Sequence, residues 1–407
     1  MSEQVLLRRR GKVAPQLADY IASGGMEGLR RARQMGPEAV CSVVTDSGLN
    51  GRGGAAFPTG RKWDAVRTQP EPVHYVVLNS DESEPGTFKD RALLDIDPFM
   101  VLEGLLIAAY ATGSERIFLY VRGEYGPQSK LLWSCVEELA AAGHLRGIGP
   151  GGGDVAIEMR RGGGAYICGE ETALFRSIEG YRGEPMSKPP FPTVQGLFRK
   201  PTVINNVETV ANVPDILVHG ADWYKSRGTA RSTGTKLYSI SGDVARPDVY
   251  ELPFGAKLQD LLDLAGAGNG KPLEAVLMGG AAGTFVFPKD FDLELSYEGV
   301  AARGTTLGSG AVIAFAAGTN LWQVAERLGR FFAHESCGQC VPCRVGTQRQ
   351  YEILHELATG VGGARERALL RSLSQVMTDA SICGLGQTAS TAVRSLLDAE
   401  AQGALAG

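Results

Sequence analysis

Three evenly spaced cysteines near the end of the chain restrict its fold more than any other feature. Cys337, Cys340 and Cys343 lie in the segment 335–347, where glycine and proline predict a tight turn, and Cys383 follows far downstream. A C-x2-C-x2-C run with a remote fourth cysteine supplies four thiolates, which is the ligand set of a [4Fe–4S] cluster. We therefore expect an iron–sulfur cluster held by these four cysteines.

Two other interpretations of these cysteines remain open at this point. Structural zinc sites usually pair two separated C-x2-C units rather than a triplet, and cysteines also occur as inert buried residues. A disulfide framework does not fit seven cysteines in 407 residues, because disulfide-rich folds are short secreted chains. We expect Cys41, Cys135 and Cys168 to be small buried hydrophobic residues, and the whole pattern predicts a reducing compartment.

Length and charge limit the class of protein. A chain of 407 residues is too long for one ordinary core, so two or three domains are expected. The net charge of −4 gives no electrostatic reason to bind nucleic acid or an anionic membrane, and we expect the cluster Arg8–Arg10 to be solvated.

No apolar run approaches the roughly 18 residues that span a bilayer, and no signal peptide is evident. We predict a cytoplasmic location. This prediction covers a protein that docks to a membrane complex through a partner subunit.

Alternating strands and helices predict a parallel α/β domain over residues 1–230. A helical lead-in over 1–45 comes first, with the second of its helices at about 26–35. The hydrophobic pattern then indicates strands at 75–79, 117–121 and 155–159 and helices at 98–112 and about 127–142.

Two polar loops in this domain are candidate ligand sites. The glycine-rich segment 46–63 carries Arg52 and Lys62, and its backbone N–H groups can wrap a phosphate or the edge of an aromatic ring. The strand at 75–79 runs into a loop with three carboxylates, those of Asp81, Glu82 and Glu84, which can bind ribose hydroxyls and so favour NAD over NADP. For the glycine-rich segment the alternative interpretation is an ordinary turn, and for the acidic loop it is a solvated turn.

Three later segments of the domain are also candidates. Glycines ahead of Glu170 and Glu171 open a helix and form an anion-binding element, although both carboxylates also suit simple capping. The segment 188–192 is a rigid extended run that can hold an aromatic edge over a ring. Asn205 and Asn206 precede an apolar helix, where their amides can bind flavin carbonyls or cap the helix.

The rest of the chain divides into two smaller predicted domains. A polar linker near 225–236 precedes a β-β-α-β pattern, which predicts a mixed α+β domain of β-grasp type over 231–318. We see no ligand chemistry in it and expect a structural role. From 319 to 407 the apolar residues recur at helical spacing, which predicts a helical bundle whose loops carry the four cluster cysteines.

Five long motifs carry a resemblance to a known family. They are Gly-Arg-Gly-Gly-Ala-Ala-Phe-Pro-Thr-Gly-Arg-Lys-Trp from 51, Asn-Ser-Asp-Glu-Ser-Glu-Pro-Gly-Thr-Phe-Lys-Asp-Arg from 79, Gly-Ala-Tyr-Ile-Cys-Gly-Glu-Glu-Thr-Ala-Leu from 164, Ile-Asn-Asn-Val-Glu-Thr from 204, and Glu-Ser-Cys-Gly-Gln-Cys-Val-Pro-Cys-Arg from 335. Together they resemble the NADH-binding flavoprotein subunit of respiratory complex I. They are similar too to the diaphorase subunits of NAD-linked hydrogenases and formate dehydrogenases. One departure is Ala56, which stands where many relatives have glycine.

The resemblance implies a Rossmann-like core that binds FMN and NAD(H) in one cleft, beside a [4Fe–4S] cluster on Cys337, Cys340, Cys343 and Cys383. By motif position it assigns FMN to Gly51, Arg52, Gly53, Lys62, Asn79, Asp81, Gly169, Glu170, Asn205, Asn206 and Thr209. It assigns the nicotinamide and adenine side to Phe57, Glu84, Tyr166, Glu171, Lys188 and Phe191. Of these, Glu84 and Glu171 are the candidate catalytic residues, which tune nicotinamide binding.

The implied activity is an electron relay. NADH gives up two electrons as a hydride and an iron–sulfur cluster accepts one at a time, so a flavin must stand between them. The sequence Gly-Leu-Gly-Gln-Thr-Ala after Cys383 is closer to the soluble hydrogenase and formate dehydrogenase relatives, and a complex I subunit is the alternative. A non-catalytic homologue that lost its flavin is the alternative from another functional class.

The resemblance also implies partners for electron transfer. Many soluble relatives carry a fused thioredoxin-like [2Fe–2S] domain that has no counterpart in this sequence. We therefore expect a separate small thioredoxin-like [2Fe–2S] subunit and a larger iron–sulfur or catalytic subunit, without nucleic acid and without direct membrane insertion.

Overall fold

The computed structural model describes residues 4–11 and 16–403, so residues 1–3 and 12–15 of the predicted lead-in, and residues 404–407, lie outside the described residues. The strands within the described ranges are β1 (Tyr75–Ser80), β2 (Arg116–Val121), β3 (Ala156–Arg161), β4 (Thr202–Asn206), β5 (Thr235–Gly242), β6 (Asp248–Pro253), β7 (Leu273–Met278), β8 (Thr284–Val286) and β9 (Ala311–Ala316). The α-helices are α1 (Leu17–Ala22), α2 (Glu27–Met35), α3 (Pro37–Asp46), α4 (Thr59–Arg67), α5 (Lys89–Ile96), α6 (Pro98–Thr112), α7 (Gly126–Ala141), α8 (Glu171–Ile178), α9 (Val207–Ala211), α10 (Val213–His219), α11 (Ala221–Lys225), α12 (Leu258–Ala265), α13 (Tyr297–Ala302), α14 (Leu321–Glu335), α15 (Val341–Ala358), α16 (Ala364–Ala380), α17 (Gly384–Thr388) and α18 (Thr391–Ala401).

The first four strands form one parallel sheet in the order β3-β2-β1-β4, which confirms the predicted α/β core. The chain adds β2 and β3 on one side of β1 and then returns to place β4 on the other side. At this reversal Asn79 of β1 pairs with Asn206 of β4. Ligands of open parallel sheets bind at the carboxyl ends of the strands where the order reverses, so the topology points to a site between β1 and β4.

Strand β4 is the element that sequence reasoning missed in this sheet. The expectation that Asn205 and Asn206 only open a helix is incomplete, because both belong to β4 and the helix α9 begins one residue later. The strand is short and ends in two asparagines, which are depleted in strands, so local propensity conceals it. Its inner residues Val203 and Ile204 are buried in the sheet.

Helix α6 forms the centre of the first core. All of its residues except Tyr110 are buried, which explains why its sequence is apolar on every side. Its single charged residue, Glu103, accepts hydrogen bonds from the backbone N–H groups of Met26 and Leu29 at 2.8 and 2.9 Å. A buried carboxylate thereby satisfies N-terminal donors of the neighbouring helix α2.

Strands β5 to β9 form a second, mixed sheet in the order β6-β5-β9-β7-β8. Strands β5 and β9 are parallel, whereas the other neighbouring pairs are antiparallel. The central strand β9 was not predicted, because its short run of small residues resembles the glycine-rich sequence around it. The α+β character of this region agrees with the prediction, and the domain boundaries at 230 and 318 stay predictions.

The predicted helical C-terminal region is confirmed by α14 to α18. These helices pack against the second sheet through a shared cluster that includes Leu277 and Phe285. The cysteine segment is not entirely a loop, since α15 begins at Val341 and places Cys343 in its first turn. The reason is Pro342, because proline suits the first turn of a helix. Within 4–11 and 16–403 no helix is long and apolar enough to cross a membrane.

The N-terminal segment ties the two sheets together. The carboxylate of Glu251, on β6, accepts the backbone N–H groups of Val5, Leu6 and Leu7 at 3.0–3.1 Å. The expectation that Arg8–Arg10 is solvated is wrong for Arg8 and Arg9, which form ion pairs with Asp215 and Asp97. It agrees with Arg10, which is exposed and pairs with the exposed Asp248. The backbone donors of residues 5–7 are buried, so the segment can lie here only with an acceptor such as Glu251.

Replacing Glu251 with alanine should destabilise the protein by about 2–4 kcal/mol, since it leaves buried N–H donors without an acceptor. The urea midpoint of unfolding, followed by far-UV circular dichroism, measures this. Asp248→Ala on the same strand is the matched control, because its ion pair with Arg10 is exposed and should contribute less than about 1 kcal/mol. Equal losses in the two variants would contradict the role given to Glu251.

Candidate functional site

Two adjoining cavities open at the reversal of the first sheet. Their volumes are about 760 and 450 Å³, and Gly53, Asn79, Gly169 and Asn206 line both. Volumes of this size are typical of cofactor sites. The polar residues that end β1 and β4 therefore lie at the cavity wall, where the strand order places them.

Most of the residues predicted to bind cofactors meet at these cavities. The residues that line one or both are Gly51, Gly53, Phe57, Lys62, Asn79, Asp81, Glu84, Tyr166, Gly169, Glu170, Glu171, Lys188, Phe191, Asn205, Asn206 and Thr209. They come from five separate segments of the chain. The structure thus brings together the glycine loop, the acidic loop and the asparagine pair, and their individual roles stay predictions.

Arg52 is placed differently from its neighbours. Its guanidinium lies away from the cavities, where it donates to the hydroxyl of Tyr224 at 2.9 Å and to the carbonyl of Thr233 at 3.0 Å. Only its backbone N–H faces the cavity wall, donating to Oγ1 of Thr209 at 2.8 Å. The side chain of Arg52 therefore joins the glycine loop to the region of the second sheet, which motif position alone does not reveal.

Close packing explains why small residues fill the glycine loop. A Cβ on Gly53 would lie 3.2 Å from Cβ of Asn206, so a larger residue would push the loop away from β4. Ala56 has a φ of 53°, which is the left-handed region that favours glycine. The departure from glycine at position 56 is therefore accommodated with the same backbone shape, at some conformational cost.

Unpartnered polar atoms in the cavity walls fit a polar, ring-containing cofactor. Oγ1 of Thr59, Oδ1 of Asp81 and Nδ2 of Asn205 are buried and have no hydrogen-bond partner within the described part of the chain. Buried donors and acceptors are rarely left in this state. Together with the aromatic rings of Phe57 and Phe191 at the wall, they suit a cofactor with carbonyl, hydroxyl and ring-nitrogen groups such as FMN.

The acidic loop is connected to the second sheet by a chain of hydrogen bonds. The hydroxyl of Tyr166 donates to Oε2 of Glu84 at 2.6 Å, and Oε1 of Glu84 accepts the N–H of Ala282 at 2.9 Å. Burial raises the pKa of Glu84, an effect that these two hydrogen bonds oppose. Glu84 is therefore held by one partner on each side rather than solvated.

The second sheet contributes to the cavity wall, which corrects the expectation of a purely structural role. Residues from its loops that line the smaller cavity are Gly279, Ala282, Thr306, Gly308 and Ser309. The glycine clusters at 266–283 and 299–310 were the sequence signal for this, because glycine permits close backbone approach. Sequence reasoning also missed Lys89 and Asp90, which line the same cavity.

Lys188 holds the two glutamates at the start of α8. Its amine forms ion pairs with Glu170, at 3.1 Å, and with Glu171. Glu170 also accepts the N–H groups of Thr172 and Ala173 at 2.8 and 2.9 Å, so the capping interpretation applies to it. Glu171 lines the larger cavity, and its side-chain ion pair within the described residues is the one with Lys188.

The four predicted cluster cysteines lie together beside this wall. Cys343 and Cys383 are buried, Cys337 and Cys340 are half-buried, and all four are free thiols. Burial raises the pKa of Cys343 to about 11, with a further contribution from the other three thiols. Bound iron would reverse this, since metals bind the thiolate form.

The four thiols match the donor set of an iron–sulfur cluster. In the residues that the structure describes, no three His, Cys, Asp or Glu side chains converge as ligands of one metal ion. Each thiolate of a [4Fe–4S] cube binds a different iron, so its four ligands need not converge on one point. The donor set therefore fits the cluster. Cys41, Cys135 and Cys168 are buried as expected.

The cysteine site and the cavities share one segment of chain. Gly384 and Leu385, directly after Cys383, line the smaller cavity, and Gly384 also lines the larger one. Gly386 packs so closely that a Cβ there would lie 2.9 Å from Cβ of Cys343. The cluster ligands and the cofactor cavity are therefore separated by little more than the backbone of this segment.

Comparison with known protein families gives separate matches to the region of the cavities and to the region of the cysteines. A family model described as the Nuo51 FMN-binding domain matches residues 44–215. A second model, described as the NADH-ubiquinone oxidoreductase-F iron-sulfur binding region, matches residues 323–400.

Curated relatives and solved structures extend the similarity to nearly the whole chain. The chain is 41% identical to the NADP-reducing hydrogenase subunit HndC of Solidesulfovibrio fructosivorans, over 97% of this chain and 81% of that protein. It is 44% identical to an NADH-quinone oxidoreductase subunit of Streptomyces coelicolor, over 93% of this chain and 85% of that protein. A crystal structure of NAD+-reducing [NiFe]-hydrogenase in the H2-reduced state matches with a TM-score of 0.84 and 39% identity, covering 91% of this chain and 63% of that chain. The chain thus spans slightly less than two thirds of that hydrogenase chain.

The carboxyl of Asp81 should make the stability of the flavin-free protein depend on pH. Burial raises its pKa to about 7, so the folded chain keeps this proton to higher pH than the unfolded chain. Stability contributed by the protonated carboxyl is therefore lost as the pH rises from about 4 through 7. Asp81→Asn should raise the melting temperature more at about pH 8 than at about pH 5. An equal change at both pH values would show that Asp81 titrates normally.

Proposed function

The chain belongs to the family of the NADH-binding, FMN- and iron–sulfur-containing subunits of NADH-quinone oxidoreductase, and from this membership we propose that it oxidises or reduces NAD(H) and passes single electrons through its iron–sulfur cluster. FMN, when bound, supplies the step between a two-electron hydride and a one-electron carrier. NAD(H), FMN and a [4Fe–4S] cluster are the cofactors of this activity. The direction of electron flow depends on the partner that the chain serves.

The observation that carries this proposal is the shared segment between cavity and cysteines. Gly384 and Leu385 line the cavity while the adjacent Cys383 belongs to the cysteine site. Electron transfer needs the two centres close together, and hydride transfer needs an open cleft for the nucleotide. A cavity open at the strand ends and closed by a cluster-bearing segment meets both needs.

The residues of the chain have orienting roles in this proposal. Asn79, Asn205 and Lys62 would hold the flavin at the strand ends, with Nζ of Lys62 fixed by the carbonyl of Ile204 at 3.1 Å. Phe57 and Phe191, both more than half exposed, offer ring faces to the incoming nucleotide. Glu84 and Glu171 would set the position of the nicotinamide, since each is held by a neighbour at the cavity wall.

The partners in this proposal are the subunits of a larger dehydrogenase. The relatives include a hydrogenase subunit and NADH-quinone oxidoreductase subunits, which work in multisubunit complexes. We favour a soluble NAD-linked dehydrogenase of the formate dehydrogenase or hydrogenase type, in the cytoplasm, with a small thioredoxin-like [2Fe–2S] subunit and a larger iron–sulfur subunit. The alternative is the NADH-binding subunit of respiratory complex I at the cytoplasmic face of its membrane.

One substitution separates the two steps of the proposed activity, which are reduction of the flavin by NADH and electron transfer through the cluster. In protein purified without air, NADH should bleach the flavin absorption band and then reduce a one-electron acceptor. Cys340→Ala should leave the bleaching by NADH within about twofold and should slow transfer to the acceptor at least about tenfold, because the cluster is lost downstream of the flavin. Loss of iron and labile sulfide is checked chemically. A wild-type protein that holds no flavin, or whose flavin NADH does not bleach, would refute the proposal.

Glu171→Gln tests the role of that carboxylate. The substitution removes the charge that Lys188 shares between Glu170 and Glu171, so we expect KM for NADH to rise about three- to tenfold. Steady-state kinetics with an artificial acceptor measure this. Glu352→Gln, on an exposed turn of α15, is the matched control. Unchanged KM and kcat in Glu171→Gln would remove Glu171 from the nucleotide site.

A further inference from the structure

A group of buried charges lies in and behind the wall of the smaller cavity. Each of its residues is at most 3% exposed, and the members are Arg52, Lys89, Asp90, Glu208 and Lys236. They come from the glycine loop, from α5 and α9, and from the first strand of the second sheet. Charges buried at such depth need partners, because transfer out of water is costly.

Both carboxylates of the group form their ion pairs with one lysine, and Glu208 also interacts electrostatically with Lys236 and Arg52 at longer range. Nζ of Lys89 lies 2.7 Å from Oδ1 of Asp90 and 2.9 Å from Oε2 of Glu208. Asp90 further accepts the amide of Asn206 at 2.5 Å, and Glu208 accepts the N–H of Leu237 at 2.9 Å. The nearby carboxylate of Glu82 accepts the N–H groups of Asp90 and Arg91 and so serves α5 instead.

Two cations of the group have no carboxylate in hydrogen-bond contact among the described residues. Within the described residues the guanidinium of Arg52 donates hydrogen bonds to neutral oxygens and lies over the ring of Phe254, and its Nε has no hydrogen-bond partner there. Nζ of Lys236 forms no hydrogen bond with any described residue. Burial lowers the pKa of Lys236 to about 8, with Lys89 and Arg52 adding repulsion and the carboxylates of Glu208 and Asp90 opposing it. Lys236 is thus a buried amine that lacks a directly bonded anion in the described part of the chain.

Lys236 lies directly behind a turn that faces the cavity. Its Nζ is 3.4 Å from the position that a Cβ would take on Gly310, while Gly308 and Ser309 of the same turn line the cavity. Gly54 lies next to Gly308 and Ser309, and Gly53 packs against Asn206. Lys89 and Asp90, which form hydrogen bonds with Asn206, line the same cavity. The excess positive charge therefore acts on one corner of the cavity.

The remaining walls have the opposite character. Asp81, Glu82, Glu84 and Glu170 line the same cavity, and Glu170 and Glu171 line the larger one. An anionic group on a bound cofactor would be repelled by these carboxylates and attracted to the corner in front of Lys236. Backbone N–H groups of the glycine loop suit the same anion.

We propose that Lys236 supplies the balancing positive charge for the phosphate of FMN, bound at the corner formed by Gly53, Asn206 and the turn at 308–310. This inference rests on the proposed function, because it takes FMN as the ligand. Through Lys236 the second sheet takes part in cofactor binding, although its sequence shows no direct ligand chemistry. The role is electrostatic and acts through the wall, so Lys236 is a positioning residue.

The experiment compares two flavins that differ only in the phosphate. Full-length protein with its cluster intact is depleted of flavin and titrated without air with FMN and with riboflavin, following quenching of flavin fluorescence. Lys236→Met should weaken FMN binding roughly tenfold or more and leave riboflavin binding within about twofold, since only FMN carries the charge. Lys236→Gln, which keeps a polar end group, should behave in the same way and serves if the methionine variant folds poorly.

Tyr238→Phe is the matched control. Tyr238 lies on the same face of β5, is equally buried, and has a hydroxyl without a partner among the described residues. Its replacement removes no charge and should leave the ratio of the two affinities unchanged. An unchanged ratio in both Lys236 variants would overturn the proposal, and so would an equal loss of both flavins. A wild-type protein that binds neither flavin would instead refute the proposed function, and this inference with it.

Discussion

The reversal of strand order in the first sheet determines where the ligand site lies and how the other regions meet it. Because β1 has β2 on one side and β4 on the other, the connections that leave their carboxyl ends diverge and open a crevice. Asn79 and Asn206 are paired at this edge. Every other contribution to the site, from the glycine loop to the cysteine segment, is arranged around this opening.

Partly buried glutamates hold the loops around the crevice in place. Glu84 accepts the N–H of Ala282, and the carboxylate of Glu335 accepts the N–H of Tyr166 at 2.9 Å. Glu335 ends the helix that leads into the cysteines, so one acceptor joins the cluster region to the nucleotide side of the cavity. A carboxylate can satisfy several backbone donors at once, which suits irregular segments without a sheet or helix partner.

Much of the fold and most of the site follow from local patterns. The strand at 75–79 and the helix at 98–112 are read from continuous apolar runs, since both are largely buried. The glycine loop, the acidic loop and the asparagine pair are recognisable because each contains residue types that bind ligands rather than fill a core. The cysteine spacing likewise indicates the cluster without reference to the fold.

Residue types and their spacing identified the candidate ligand-binding segments and three strands of the parallel sheet, and the family resemblance assigned individual residues within those segments. Neither showed which of these residues share a wall. Packing in three dimensions settled that. It turned the guanidinium of Arg52 away from the cavity, brought the turn at 308–310 and the segment after Cys383 to it, and buried Lys236 behind it. These contacts join residues more than 100 positions apart, and no local propensity encodes them, because they arise from how sheets and helices pack once formed.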